Sequence, residues 1–578
     1  MKAAESIRNI YTNASAGRLL LLIFLVTFLV RILFLDLKLY HHDEAIHAWF
    51  VYELLTKGNY IYDPMYHGPF LYYVTAVMFS LFGESDVIGR ILPVIFGSCL
   101  IPLLYAIFRL GYLTKNQVII AGLFIAVSPD MVYFSRFLRH DIFQIFFTLA
   151  FIVCVLAWFE KERWYYAALA GLTAALGMTC KEDMPITLLI FGSFFLLCLV
   201  TKKISLPRFW IRHLFPAIIV AGFIGILFYS SFGASPETVF NAGFRAIDHW
   251  ASMHEECRLC GPPYYYILML LMYELPVLLL ALFAVIQYSV LHIKRKKQDI
   301  SLEKNELHPQ KTDTVSVIHR DKTEFFFIFS LYWMIFSLCV YGIIGEKVPW
   351  LLLHQLLPMI FVAVYMMGTK KMILSLLICL YLIGMTWHLC FIPVDINEPI
   401  VQVQNSEQFR EVMDLIDLSD KVVIASDTYW PLPWYYRGDQ WEKFTFYGQR
   451  VDEEIIYQND PDMVITHDTD SYPSLFGYYM YPYVHSYWFS WWDNKERLLP
   501  YFLYRDGKMG SINLDVFIKA DIAEKYGFLP SSSPLIQENR SDMDSLINEK
   551  YGYVPSHVPG MDNNVSGNLD RSSFHMIA

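Results

Sequence analysis

The run LLLLIFLVTFLVRILFL, residues 19 to 35, is almost wholly apolar and, as a helix, is long enough to cross most of the hydrocarbon core of a bilayer. Similar runs recur along the chain, in which 55% of the 578 residues are hydrophobic and 17% are charged. This pattern predicts a polytopic α-helical membrane protein. Lys2, Arg8 and Arg18 precede the first run and no small-residue cleavage site follows it, so we interpret it as a retained span with a cytoplasmic N-terminus.

Basic residues between the later runs predict how the chain is threaded. If the short stretch Pro69 to Phe82 crossed the membrane, the basic clusters that follow would lie outside; if it rests on the outer surface, they all lie inside, as the positive-inside rule requires. The second arrangement predicts external loops at 37–86, with amphipathic helices, and at 230–263, and a cytoplasmic loop at 292–322. It gives about eleven spans: Leu19–Leu35, Val87–Leu110, Val118–Pro129, Ile142–Phe159, Trp164–Met178, Ile186–Val200, Phe215–Tyr229, Tyr265–Val290, Phe325–Tyr341, Leu351–Met367 and Met372–Phe391.

Charge divides the chain into two domains. From Phe391 onward acidic residues outnumber basic ones by 29 to 14, whereas the part before it has 31 basic and 26 acidic residues. We predict a membrane domain over 1–392 and an extracytoplasmic α/β domain over 393–530, in which KVVIASD (421–427) and DMVITHD (462–468) form buried strands. A flexible tail over 531–578 contains sequons at Asn539 and Asn564. The acidic tail argues against nucleic acid as a partner.

Unusual polar residues gather where predicted spans end on the outer side. Charges at such places are costly unless they pair or serve a pathway. Two simpler interpretations stay open, since Asp43 could be a helix N-cap and the basic residues could snorkel to the interface. The group begins in YHHDEAIHAW (40–49) and comprises Asp43, Glu44, His47, His67, Arg136, Arg139, Asp141, Lys181, Glu182, Asp183, Glu346 and Lys347.

Two cysteines stand apart from the others, which lie singly in apolar runs. Cys257 and Cys260 form a CxxC with His249 and His254 close before it. Zinc ligands, an external disulfide and free thiols are all compatible with this spacing.

Several motifs together resemble a known class. The acidic pair after the first span, SRFLRHD (135–141) and the lysine of CKEDMP resemble membrane glycosyltransferases of the GT-C class, in the protein O-mannosyltransferase and aminoarabinose-transferase branch. The ordered set YHHDEAIHAW, HGPFLYY (67–73), GPPYYY with YELP (261–276), GEKVPWLLLHQLLP (345–358) and WPLPWYYR (430–437) resembles more closely the archaeal flippase activity-associated proteins.

This resemblance implies a GT-C-type core and an inverting transfer of a sugar from a polyprenyl (dolichyl) phosphate donor to a glycan, protein or lipid acceptor, on the outer face of the cell membrane. Carried over, it implies that Asp43 is the general base, with Glu44 assisting and Asp141 as a further catalytic acid. Arg136, Arg139, Lys181 and Lys347 would then hold the donor phosphate, and His47, His67, Glu182 and Glu346 would bind substrate. No cofactor other than the lipid-linked donor is implied with certainty. A divalent metal ion on Asp43, Glu44 and Asp141 is an additional candidate.

Two rival functions follow from the same residues. The chain could bind polyprenyl-phosphate sugars and assist their flipping without catalysing transfer, in which case the cations matter and Asp43 does not. Secondary transport fits less well, because transporter sites lie near the bilayer midplane. The sequence leaves the sugar and the acceptor open, and for WPLPWYYR it favours packing over acceptor binding.

Overall fold

The computed structural model describes residues 15–58, 60–256, 261–303, 314–368 and 371–527. These form two compact units, one made of residues 15–35 and 50–392, the other of residues 36–49 and 393–527. The predicted flexible tail, both sequons, Cys257 and Cys260 lie outside the described residues.

The first unit is helical. Serine or threonine side chains begin several of its helices, and at Thr114 a full capping box with Gln117 satisfies the first backbone N–H groups. Its helices are α1 Ala16–Ile32, α2 His42–Lys57 (from residue 50 onward), α3 Phe70–Phe82, α4 Asp86–Ser98, α5 Leu100–Leu110, α6 Lys115–Val127, α7 Pro129–Phe134, α8 Asp141–Lys161, α9 Trp164–Cys180, α10 Met184–Val200, α11 Trp210–Tyr229, α12 Thr238–Glu256, α13 Tyr265–Tyr273, α14 Leu275–Glu303, α15 Thr314–Ile343, α16 Leu353–Val364 and α17 Met372–Cys390, with 3₁₀ turns at Pro64–Tyr66 and Pro349–Leu352.

Within the described ranges, six helical segments are long and apolar enough to cross a membrane, and all six fall on predicted spans. The other five predicted spans are shorter helices, so helix length supports a polytopic membrane protein without fixing the number at eleven. The six are Asp86–Leu110, Asp141–Lys161, Trp210–Tyr229, Leu275–Lys294, Lys322–Ile343 and Ile373–Cys390.

All three predicted loops contain helix, which was expected only for the loop 37–86. Helix α3 has 13 residues, or about 20 Å, which is too short to cross the hydrocarbon core and agrees with a position on the surface. The predicted loop 230–263 contains α12, whose apolar residues recur at helical spacing. The predicted cytoplasmic loop over 292–322 lies between two long apolar segments that end at Lys294 and begin at Lys322, and helix enters it from both sides, because α14 continues to Glu303 and α15 begins at Thr314.

The second unit is the predicted α/β domain. Its six-stranded sheet has the order β1-β5-β6-β4-β2-β3, parallel across β4, β2 and β3 and antiparallel elsewhere. The two predicted strands are β2 and β4, paired with Val423 opposite Val464. The elements are β1 Gln404–Asn405, α18 Phe409–Asp417, β2 Val422–Ala425, α19 Leu432–Tyr435, β3 Phe444–Phe446, α20 Glu453–Asn459, β4 Met463–His467, β5 Tyr478–Phe489, α21 Trp491–Asn494, α22 Leu498–Tyr504, β6 Met509–Lys519 and α23 Ala520–Tyr526, with 3₁₀ turns at Gly438–Lys443 and Asp468–Asp470.

Residues 36–49, which the sequence places in the membrane domain 1–392, belong to this second unit. Leu39 is 2% exposed and lies in one of the two apolar clusters that cover the sheet. The side chains of Gln404 and Asn405 donate to the carbonyls of Leu39 (3.1 Å) and Tyr40 (2.6 Å). The stretch is therefore held by both apolar packing and backbone hydrogen bonds.

Candidate functional site

The core of the site is a buried ionic cluster in the first unit, where α8 begins and α9 ends. Asp141, the first residue of α8, is 1% exposed. One of its carboxylate oxygens lies 2.5 Å from Lys181 Nζ, and the other accepts from Arg139 Nε at 3.2 Å. The Arg139 guanidinium also lies over the ring of Trp350, 3.6 Å from its centre. Two cations thus share one carboxylate, and the three side chains together carry one positive charge.

A second buried pair follows directly in the sequence. Asp183, which is 4% exposed, lies 3.0 Å from Nε2 of His354 and accepts from the Tyr341 hydroxyl at 3.3 Å. Burial alone would raise the pKa of Asp183, but the positive charges of His354 and Lys181 outweigh it and lower the pKa to about 2. The carboxylate is therefore ionised at neutral pH.

His354 was not among the residues predicted from the sequence. It sits in α16 inside an apolar run, where a histidine is most often read as part of the core. The available signal was its position in the motif GEKVPWLLLHQLLP, one helical turn after Trp350. In the structure, Trp350 packs on Arg139.

Glu182, in the turn between α9 and α10, contacts the loop before α3. Its two carboxylate oxygens accept from the Tyr62 hydroxyl at 2.8 Å and lie 3.0 Å from Nδ1 of His67. Burial and the nearby Glu182 raise the pKa of Tyr62, so this phenol stays protonated and donates. Two of the four predicted substrate-binding residues, His67 and Glu182, thus contact one another.

Gly68 explains why this loop approaches so closely. Its N–H donates to the Cys180 carbonyl at 3.1 Å, and a Cβ at this position would lie 2.1 Å from the carbonyl oxygen of Thr179. Only glycine permits this approach of one backbone to another. The HGPF turn is in this way fixed against the end of α9.

Two of the four predicted phosphate-binding cations cap helix ends instead. Arg136 donates to the carbonyls of Arg31 (2.9 Å), Leu33 (2.5 Å) and Phe34 (2.7 Å) at the end of α1. The ammonium of Lys347 donates to three carbonyls at the end of α15: Tyr341 and Gly342, each at 3.1 Å, and Ile344. Cations are favoured there by the partial negative charge of a helix C-terminus. Burial lowers the pKa of Lys347. Its neighbour Glu346 is half-buried in the same turn.

In the second unit, the acidic pair lies at the start of α2. Helix α2 begins at His42, so its N-cap is His41 and the interpretation of Asp43 as N-cap is wrong. The His41 ring accepts from the Asp43 N–H at 3.0 Å, while Glu44, which is fully buried, accepts from the His41 N–H at 3.0 Å. Glu44 thus closes a capping box, and Asp43 is half-buried in the first turn. His47, one turn further, is buried.

The predicted metal ligands are largely engaged in other contacts. Asp141 is occupied by two cations and Glu44 by a backbone N–H. Among the described residues, no group of three or more His, Cys, Asp or Glu side chains is arranged to hold a metal ion. A divalent ion on Asp43, Glu44 and Asp141 stays a prediction.

The motif WPLPWYYR packs inside the second unit. Leu432, Trp434 and Tyr436 are buried, and the Trp434 ring lies 5.6 Å from that of Tyr40, between ring centres. Trp430 meets Trp49 edge-on at 6.4 Å. The motif thus packs on the same stretch that contains Asp43.

Comparison with known proteins agrees with these motifs. Residues 66–229, which contain His67, Arg139, Asp141 and Lys181, match the family described as dolichyl-phosphate-mannose-protein mannosyltransferase. The match confirms the predicted resemblance to GT-C glycosyltransferases of this branch. The narrower likeness to the archaeal family stays a prediction. No curated protein sequence matches the chain.

Solved structures show a partial likeness. ArnT from Cupriavidus metallidurans bound to undecaprenyl phosphate is 14% identical, with a TM-score of 0.42, and the alignment covers 63% of each chain. The Archaeoglobus fulgidus oligosaccharyltransferase is 13% identical, with a TM-score of 0.43, over 78% of this chain and 69% of that one. The S. cerevisiae Pmt1-Pmt2 complex bound to the sugar donor is 17% identical, with a TM-score of 0.30, over 43% and 36%. This chain thus spans less than two thirds of the ArnT structure.

Proposed function

We propose that this membrane protein, whose residues 66–229 match the mannosyltransferase family, is an inverting glycosyltransferase that takes a sugar from a polyprenyl phosphate donor. The observation that carries the proposal is the buried cluster of Arg139, Lys181 and Asp141. Asp141 neutralises only one of the two cations, and the negative charge of a lipid phosphate would balance the positive charge that is left.

Of the four cations expected to bind phosphate, Arg139 and Lys181 are the better candidates. Arg136 and Lys347 donate to carbonyls at the ends of helices, whereas Arg139 and Lys181 lie together at the buried carboxylate of Asp141. Asp141 then acts as a positioning residue rather than as a catalytic acid, because both its oxygens hold cations and it has little tendency to accept a proton.

The proposed reaction has one displacement step. The Asp43 carboxylate takes the proton from an acceptor hydroxyl, whose oxygen forms a bond to the anomeric carbon of the sugar. The bond from that carbon to the phosphate oxygen breaks, and polyprenyl phosphate leaves with its charge held by Arg139 and Lys181. Glu44 holds the start of α2 and thereby positions Asp43.

We further propose that the transfer takes place on the extracytoplasmic face, with the N-terminus in the cytoplasm and the second unit outside. This orientation places the basic loops of the chain inside. Acceptors on that face would be a glycan, a protein or a lipid.

The test is transfer of labelled sugar from purified polyprenyl phosphate donors to cell-envelope acceptors in proteoliposomes. Asp43→Asn should lower turnover by about 10²-fold or more and leave donor binding intact. Lys181→Met should weaken donor binding, whereas the control Lys57→Met, at a side chain 64% exposed, should not. Unchanged turnover of Asp43→Asn would remove the base from the mechanism. Donor binding without transfer by the wild type would favour the flipping-associated role.

A further inference from the structure

Helix α12 carries large apolar side chains on its open side. Phe240 is 80% exposed, Phe244 74% and Ile247 67%. Their spacing of four and three residues places them along one face of the helix. We name these three residues the apolar stripe.

The opposite face of α12 packs on the protein. Thr238 and Ala242 are buried, and His249 is half-buried; all three lie about half a turn around the helix from the apolar stripe. The helix contacts α11 and the 3₁₀ turn Pro64–Tyr66. His249 is also close enough to His67 and Glu182 to interact with their charges. The apolar stripe is therefore directed away from the rest of the first unit.

The stripe follows soon after an apolar segment of span length. Helix α11 is one of the six long apolar segments, and large side chains in its second half are exposed, with Phe223 at 62% and Ile226 at 58%, while Phe228 near its end is buried. Only residues 230–237 separate α11 from α12, and Phe232 among them is 51% exposed. A chain this short keeps the start of α12 near the end of the span.

We propose that α12 is an interfacial helix that lies along the membrane surface, with the apolar stripe inserted among the acyl chains of phospholipids. One side of the helix suits that position, because the charged residues Asp248 and Arg245 are exposed there, Asp248 next to the stripe and Arg245 further from it. Lipid is favoured over a second protein because α12 contacts α11, a segment of span length, and begins only eight residues after it ends. The inference does not depend on the proposed transfer reaction.

The experiment is photocrosslinking of the full-length protein in liposomes of phosphatidylcholine and phosphatidylglycerol. Phe244 is replaced by p-benzoylphenylalanine, and the matched control carries the same group at Arg245, which is exposed on the adjacent side. A second pair, Ile247 with Asp248, repeats the comparison. Because all four positions are exposed, the variants should fold, and a monodisperse elution profile checks this.

We expect mass spectrometry to find phospholipid adducts several-fold more often at Phe244 and Ile247 than at their controls. Adducts mainly to a second protein chain would overturn the proposal and identify the stripe as a protein interface. Equal lipid labelling at stripe and control positions would also overturn it, since it would mean that no face of α12 is preferentially inserted.

Discussion

Replacing Asp183 by asparagine should remove a measurable part of the stability of the first unit. The pKa of Asp183 falls from 3.8 to about 2 on folding, because His354 and Lys181 outweigh the cost of burial. At 1.36 kcal/mol for each pKa unit, the ionised side chain contributes about 2 kcal/mol at neutral pH. Asp183→Asn keeps the shape but loses the charge, so we expect the free energy of unfolding to fall by about that amount.

The pH dependence of the free energy of unfolding tests the same stabilisation independently. A lowered pKa means that the stabilisation is complete above pH 3.8 and is lost as the pH falls towards 2. The difference between wild type and Asp183→Asn should therefore shrink as the pH falls below 4. His354→Gln should cost a similar amount, and the double variant little more than either, because both changes break one pair.

Equilibrium unfolding in mixed detergent–SDS micelles, followed by tryptophan fluorescence, measures these differences. The reasoning would be refuted if Asp183→Asn were as stable as wild type at pH 7. It would also fail if the effects of Asp183→Asn and His354→Gln simply added.

Three further predictions concern single positions. Gly68→Ala should abolish the peak of folded protein in fluorescence-detected size-exclusion chromatography, because the added Cβ would meet the Thr179 carbonyl. The control Gly192→Ala should behave as wild type, because nothing lies within 4 Å of the added Cβ. Peaks of equal height for the two variants would contradict this prediction. Arg136→Gln should lower the melting temperature without changing donor affinity, because the guanidinium donates to carbonyls at the end of α1. A loss of donor affinity as large as that of Lys181→Met would instead place Arg136 in the phosphate site. Glu44→Gln should retain most transfer activity, because glutamine also closes a capping box; a loss as large as that of Asp43→Asn would make Glu44 catalytic.

Much of the fold could be predicted because its causes are local. Apolar runs of span length predicted all six long membrane segments, and short β-branched runs predicted β2 and β4. The interruption at Glu274, which divides the predicted span Tyr265–Val290 into α13 and α14, was missed because one polar residue hardly alters the hydropathy of such a run. The same weakness hid His354.

The partners of the charged residues could not be predicted, because they depend on contacts between distant parts of the chain. The sequence identified Arg136, Arg139, Lys181 and Lys347 as one group of cations. The structure divides them, since two pair with a buried carboxylate and two cap helix ends. Periodicity cannot separate these roles, because both need a basic residue just beyond a span.

The attachment of residues 36–49 to the second unit has a consequence for biosynthesis. Gln404, which binds the carbonyl of Leu39, follows it by 365 positions, so Leu39 leaves the ribosome long before its sheet exists. The segment with Asp43 can be fixed in place only after the last membrane helix has been synthesised. A nascent chain arrested before β1 would contain the proposed base but would lack the contacts that fix it. Assembly of this part of the protein is thus coupled to completion of the polypeptide.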